Sequence, residues 1–376
     1  QLPAPDPWLA PRIRRELGLP SLERRIGLSA HDMASALGAP RVLMTRAKRD
    51  ARSPTIASRF WLRLATMAGG LERPSLAFGH WARAIDICAD LPGRVGRPAP
   101  CPPVSERPRE ISVTAVDRLS ADPFAFYANA MLGLKALDRV DADPGPAWRG
   151  SLIHTVLEDW AKVDAYRSGA LIERMDAALS ASALHPLIRA LWLPRLLEGA
   201  KWIEAQVQDN KSEGRLPLVA EIGGSIEFAG VKLVGRADRI DRLANGSLAV
   251  IDYKTGEGPS FKQVKAGFAV QLGLIGLIAE RGGFDGVEGQ CRAFEYWSLA
   301  RDRTGHQYGK LASPVSEKDT DMGPDRFIDF IASQFRQSAD KWLTGNEPFT
   351  AKRRPEYTWA DYDQLMRLEE WQGRDG

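Results

Sequence analysis

The chain has 376 residues, with 51 Lys and Arg against 48 Asp and Glu, for a formal net charge of +3. With 44% hydrophobic and 26% charged residues, the composition is that of a globular protein able to bury a core, which excludes disorder as its main state. The small net charge excludes a histone-like basic protein, yet is neutral about nucleic acid, because local patches matter more than the sum. Three widely spaced cysteines, Cys88, Cys101 and Cys291, form no C-x-x-C pair. They argue against a disulfide framework and a four-thiolate metal site, and point to a reducing, cytoplasmic setting. Cys88 and Cys291 are expected to be small buried residues. The longest apolar run, Phe268 to Ala279, contains Gln271 and is too short to span a bilayer, so no membrane partner is expected. The start, QLPAPDPWLAPRIRREL, has no secretory apolar core and no initiator Met, so the chain reads as a piece of a longer protein. Lysine is scarce: 13 of the 51 cations are Lys and the remaining 38 are Arg.

In chain order, residues 1–90 carry helical apolar spacing punctuated by Gly and Pro, with a short strand expected at RVLMTRAK from Arg41. Residues 91–110 are Pro-rich and read as a linker. SVTAVDRLSADPFAFYANAML suggests a capped helix with a Pro-marked break near Ser120 or Asp122. Helices are expected near 147–165, 170–183 and 186–208. A β-rich block follows: LVAEIGG, SIEFAG, VKLVGRADRIDRL and SLAVIDYKTG, the last two joined by a hairpin turn at Asn245–Gly246. A helix from Ser260 to about Glu280, a strand at CRAFEYWSL, a helix near 325–343 and a short aromatic-rich terminal helix complete the pattern.

The chemistry concentrates in that β-rich block. Strand alternation puts Leu248, Val250, Asp252 and Lys254 on one face and Ala249, Ile251 and Tyr253 on the other. Asp252 and Lys254 then project together at a strand end, and the hairpin brings Asp238 on the preceding strand towards them, in a register the sequence leaves open. Two carboxylates and an ammonium at a sheet edge suit a hard divalent cation, Mg²⁺ or Mn²⁺, and phosphodiester hydrolysis. An ion pair on the surface is the plain alternative for D-x-K. His154 lies four residues before Glu158, off the apolar stripe of Leu152, Ile153, Val156, Leu157 and Trp160. It reads either as a helix-surface histidine or as a third ligand; Glu158 reads as structural. Gln271 interrupts an apolar segment and needs a polar partner, which could be backbone, a catalytic group or DNA. Lys262 and Lys265 share one helix and could contact phosphates or solvent.

Taken together, G-x-x-x-H at Gly150–His154, G-R-A-D-R-I-D at Gly235–Asp241, D-Y-K-T-G at Asp252–Gly256 and Gln271–Leu272 resemble the RecB-like branch of the PD-(D/E)XK nucleases. The resemblance implies an α/β fold, with a mixed central sheet flanked by helices. It implies metal binding by His154, Asp238 and Asp252, a catalytic Lys254, Gln271 in the place of the motif glutamine, and Arg236 beside Asp238 among the DNA contacts. Glu221 resembles an acidic position found in this branch. Ile275 stands where the glutamine motif often has Tyr.

Through VDRLSADPFAFYANAMLGL from Val116, DYDQLMRLEEW from Asp361 and RVLMTRAKRDARSPTIASRFWLRL from Arg41, the wider chain resembles the C-terminal part of the AddB family, the nuclease-bearing subunits of AddAB double-strand-break repair complexes. That likeness implies a nuclease domain over 111–376 behind a mainly helical helicase-like remnant at 1–90. It also implies DNA ends and single-stranded tails as substrate, an AddA-like helicase-nuclease partner, and cutting of the 5′-ended strand. Three scattered cysteines cannot supply the four-Cys iron–sulfur staple of some members, so no cluster is expected. No G-x-x-x-x-G-K-[ST] occurs, so this chain alone is not expected to bind ATP; Arg46 reads as a relic of an ATP-sensing position or as a structural residue. The competing reading is a non-catalytic DNA-binding or scaffold subunit with a degenerate nuclease fold.

Overall fold

The computed structural model describes residues 9–20, 22–49, 53–71, 77–86, 96–135, 137, 144–182, 184–301, 308–316, 322–354 and 360–372. The chain divides into two compact units, Gln1–Pro92 and Gly93–Gly376. In the first, the described helices are α1 (Pro11–Glu16), α2 (Leu22–Leu37), α3 (Arg59–Met67) and α4 (Ala77–Asp86). Ser58 caps α3 by accepting from the Trp61 N–H. The strand expected from Arg41 does not form; the described residues there make a single bridge, Arg49 to Pro54, and Arg46 sits over the Trp61 ring. Cys88 lies outside the described residues.

The second unit starts with β1 (Glu110–Ser112), α5 (Val113–Ala121), α6 (Pro123–Phe126) and a π-helical turn at Tyr127–Met131. The break between α5 and α6 falls at Asp122, whose carboxylate accepts from the Ala125 N–H at 3.2 Å, as the Asp-Pro pair predicts. Next come α7 (Pro146–Lys162), α8 (Ala170–Ala181) and α9 (Pro186–Ser212), then β2 (Leu216–Phe228), β3 (Val231–Arg242) and β4 (Leu248–Lys254). The sequence-expected strands LVAEIGG and SIEFAG are one continuous β2. After β4 the expected single helix is two, α10 (Phe261–Lys265) and α11 (Gln271–Glu280). Left-handed backbone at Gly267 (φ 84°) and Ala269 (φ 56°) breaks it. The unit closes with β5 (Cys291–Arg301), β6 (Tyr308–Ala312), α12 (Phe327–Trp342) and α13 (Leu368–Trp371).

The strands form one mixed six-stranded sheet, with β1–β3 and β4–β5 parallel and β2–β3, β3–β4 and β5–β6 antiparallel. Its two faces bury separate cores. Leu248 and Val250 join residues of α5, α11 and α12 in one; Ala249, Ile251 and Tyr253 join residues of α7, α8 and α9 in the other. The period-2 reading of β4 is therefore correct, and both of its faces are covered. A glycine pair on α11 permits the close approach. A Cβ at Gly273 would sit 2.5 Å from Ile331 of α12, and one at Gly276 would sit 2.7 Å from Phe294 of β5. Cys291 is buried, as expected.

The described part of the Pro-rich stretch, 96–110, is docked onto this unit rather than strung out as a linker. Prolines contribute carbonyls without N–H groups, and these are used: Pro98 and Pro100 accept from Ala351 and Phe349. Arg107, 2% exposed, donates to the carbonyls of Pro102, Trp342 and Glu347.

Candidate metal centre

Three adjacent strands and one helix build the site. In the β3–β4 ladder Arg239 pairs with Ile251, so continuing the register by one residue sets Asp238 opposite Asp252. In the β2–β3 ladder Ala220 pairs with Arg239 and Ile222 with Ala237, which brackets Asp238 opposite Glu221. Three carboxylates thus stand abreast on β2, β3 and β4. Glu221 holds a left-handed backbone inside its strand (φ 48°), a conformation worth roughly 1–3 kcal/mol of strain in a non-glycine residue and typical of functional sites. Its carbonyl accepts from the Lys162 ammonium of α7 at 3.3 Å.

From α7, His154 reaches this row: its Nδ1 lies 3.2 Å from Glu221 Oε1 and 3.6 Å from Asp238 Oδ1. Ligand atoms of His154, Glu221 and Asp238 all lie within 4.8 Å of one another. Asp238 Oδ2 accepts from the Tyr253 N–H at 2.9 Å, which ties β3 to the strand carrying Asp252 and Lys254. Asp252 is 4% exposed, and Lys254 Nζ lies 2.6 Å from its Oδ2, an atom otherwise buried without a hydrogen-bond partner.

The electrostatics are those of a site short of positive charge. Burial, aided by Asp252, pushes the Asp238 carboxyl up to about 7. Burial also raises Asp252, against the pull of Lys254. The Glu221 hydrogen bond and the charges of Asp238 and Asp252 outweigh burial and raise His154. For Glu221 the balance runs the other way: burial is overcome by hydrogen bonds from His154 and Arg236, and its carboxyl falls below the ordinary value. A divalent cation fits this donor set of one imidazole and hard carboxylate oxygens, because it supplies the charge that keeps the buried acids ionised.

The remaining sequence candidates are placed as follows. Arg236 Nε donates to Glu221 Oε2 at 2.6 Å and its NH2 to Glu158 at 3.0 and 3.1 Å, with its side chain still exposed at the surface. Glu158 also pairs with Lys162, the structural role expected of it. Gln271 is the first residue of α11, half-buried, and its side-chain amide bonds to none of the described residues. Lys262 and Lys265 are exposed on the last turn of α10.

Two residues beside the site carried no sequence signal. Asp117 of α5 accepts from the Val270 N–H at 3.2 Å, just ahead of Gln271, and burial raises its carboxyl to about 6. Tyr296 of β5 donates to the Ala269 carbonyl in the same loop at 3.2 Å, and Lys254 Nζ lies 5.9 Å from the centre of its ring. Only the fold brings these positions together.

An uncharacterized protein of Rickettsia conorii is 28% identical over 189 residues, covering 47% of this chain and 23% of that protein. A protein of Acetivibrio thermocellus, named as one of the subunits of an ATP-dependent helicase/deoxyribonuclease, is 25% identical over 203 residues, covering 45% of this chain and 17% of that protein. The chain therefore spans about a quarter or less of the length of these curated relatives. A crystal structure of a candidate exonuclease from Eubacterium rectale covers 64% of this chain and 84% of its own, at 11% identity and a TM-score of 0.34. Residues 110–357 match the PD-(D/E)XK nuclease superfamily, a span that holds β1 to β6 and every site residue named above. This chain belongs to the PD-(D/E)XK nuclease superfamily.

Proposed function

We propose that this chain is a metal-dependent deoxyribonuclease that hydrolyses phosphodiester bonds at DNA ends, as the nuclease part of a helicase–nuclease complex with an AddA-like partner. One observation carries the reading: Asp238 and Asp252 face each other across adjacent strands, with Lys254 on Asp252 and His154 on Asp238. Against the reading as a degenerate, non-catalytic subunit, all four residues are present. The relatives named as helicase/deoxyribonuclease subunits support the wider setting of DNA-end repair, and the cutting of the 5′-ended strand follows from the AddB resemblance.

His154, Asp238 and Asp252 would hold Mg²⁺ or Mn²⁺, with Glu221 beside them. When bound, such an ion polarises a phosphoryl oxygen and lowers the pKa of water. The protein's own groups do the rest. Lys254, its side chain about one-third exposed, presents an ammonium that orients the attacking water and offsets charge gathering on the phosphoryl oxygens. Glu221 lies against His154 Nδ1 on the side of the acids, and Arg236 fixes Glu221 in turn. The Tyr253 N–H holds Asp238 at the angle that faces Asp252. No described helix is long and apolar enough to cross a membrane.

The test is cleavage of end-labelled single-stranded DNA with Mg²⁺, with and without the helicase partner, by wild type, Asp252→Ala and Lys254→Ala. Wild type should cut, and each variant should lose on the order of 10²–10³-fold or more. Equal cutting by all three, or none by wild type alongside its partner, defeats the proposal.

A further inference from the structure

A second cavity opens beside Lys254 on the α7–α9 side of the sheet. Its volume is about 310 Å³, and its lining includes Arg149, Trp192, Arg195, Thr255, Arg301 and Tyr308. Thr255 directly follows Lys254, and Arg149 lies on α7 five residues before His154, about 7.5 Å along the helix axis at 1.5 Å per residue. The cavity is thus continuous in sequence with the candidate metal centre on two elements.

Its chemistry is unlike that of the centre. Among the described residues no carboxylate lines it, and three guanidiniums do. None of the three forms an ion pair with a described carboxylate, whereas Arg236, Arg239 and Arg215 all do. Arg149 lies over the Trp192 ring at 5.3 Å, with a buried Nε that has no hydrogen-bond partner. Arg301 Nε donates to the Tyr308 hydroxyl at 2.9 Å, with its guanidinium 5.2 Å from that ring. Cations alternating with aromatic faces, and with no acid among them, suit a chain of phosphates whose bases are free to stack. Bases stacked inside a duplex have no free face to offer Trp192 or Tyr308.

We infer that this cavity is a subsite for single-stranded DNA, with Arg149, Arg195 and Arg301 on successive phosphates and Trp192 or Tyr308 stacking an unpaired base next to the scissile bond. The inference deepens the nuclease reading and rests on it for its purpose. Its binding chemistry stands apart from catalysis.

The experiment measures anisotropy of a labelled oligo-dT strand and of a blunt duplex on the full chain in Ca²⁺, across a salt series, with cleavage of the same strand in Mg²⁺ read in parallel. Thermal melting checks that each variant folds. Wild type should prefer oligo-dT. Arg149→Gln with Arg301→Gln should weaken it about tenfold or more and reduce the salt slope by about 1.4, at 0.7 per phosphate contact. Trp192→Leu should weaken binding about fivefold or more, and Trp192→Phe should restore most of it. In cleavage, KM should rise by more than kcat falls.

Wild-type affinity in the folded Gln and Leu variants, or a wild-type preference for duplex, overturns the subsite. If wild type cuts and these variants bind unchanged, only the subsite fails. If wild type binds oligo-dT through these residues and cuts nothing even alongside its helicase partner, the subsite stands and the nuclease reading fails.

Discussion

Replacing Asp238 by Asn should stabilise the metal-free protein at alkaline pH while abolishing its response to Mg²⁺. In the folded chain the carboxyl is raised from 3.8 to about 7 by burial and by Asp252. The neutral form is therefore favoured, and the penalty for ionisation grows as pH rises from about 4 to about 7, because the unfolded chain has already released its proton there. His154, also raised, loses its stabilisation as pH climbs through its own range, in the same direction. Glu221, depressed, contributes stability that is lost only as pH falls below about 4.5, outside the window from pH 5 to 8.

At 1.36 kcal/mol per pH unit, the Asp238 penalty deepens by about 2.7 kcal/mol between pH 5 and 7. Asn keeps an oxygen to accept the Tyr253 N–H and carries no charge. The stability of Asp238→Asn relative to wild type should accordingly improve by roughly 2–3 kcal/mol from pH 5 to pH 8, measured by denaturant unfolding in EDTA. Adding Mg²⁺ at pH 8 should raise the stability of wild type and leave the variant unmoved. A pH-independent difference, or a wild type that gains on the variant as pH rises, refutes the electrostatic account of the site.

Glu221→Gln should lower the His154 pKa, since the carboxylate supplies the leading contribution to its elevation; a histidine titration followed by NMR that stays put counts against that contact. Lys254→Met should weaken cleavage on the order of 10²–10³-fold while protein folding is retained, whereas near-wild-type turnover would remove Lys254 from the chemistry. Asp241→Ala should be among the most destabilising substitutions, at about 3–5 kcal/mol by urea denaturation. It strands Arg239, 1% exposed and bonded to both Asp241 oxygens at 2.5 and 2.6 Å, and it also strips a partner from Arg215 at 2.7 Å. A loss below about 1 kcal/mol would mean that the buried network relaxes freely.

The parts of this molecule that could be read in advance are those governed by local rules. The alternation of Leu248, Val250 and Asp252 against Ala249, Ile251 and Tyr253 gave the two faces of β4, and Asn245–Gly246 gave the hairpin that carries Asp252 back beside Asp238. What stayed hidden depends on partners distant in sequence. β1 is three residues long and exists because Glu110–Ser112 lies parallel to β3, more than a hundred residues on. The continuity of β2 through Gly223 and Gly224 comes from their pairing in register with Arg236 and Gly235 of β3. The pairing of Arg236 with Glu158 is equally hidden, because the two lie 78 residues apart on different elements. Glu221 is marked by the family resemblance, but its cross-strand register and left-handed backbone are not announced by its residue type.

The most direct measurement is anomalous scattering from Mn²⁺ in crystals of this chain, recorded for wild type and for Asp238→Asn. A peak within coordination distance of His154, Asp238 and Asp252 is expected in wild type, and its loss in the variant. No peak there at millimolar Mn²⁺, or one that survives removal of the Asp238 charge, contradicts a metal centre at these residues.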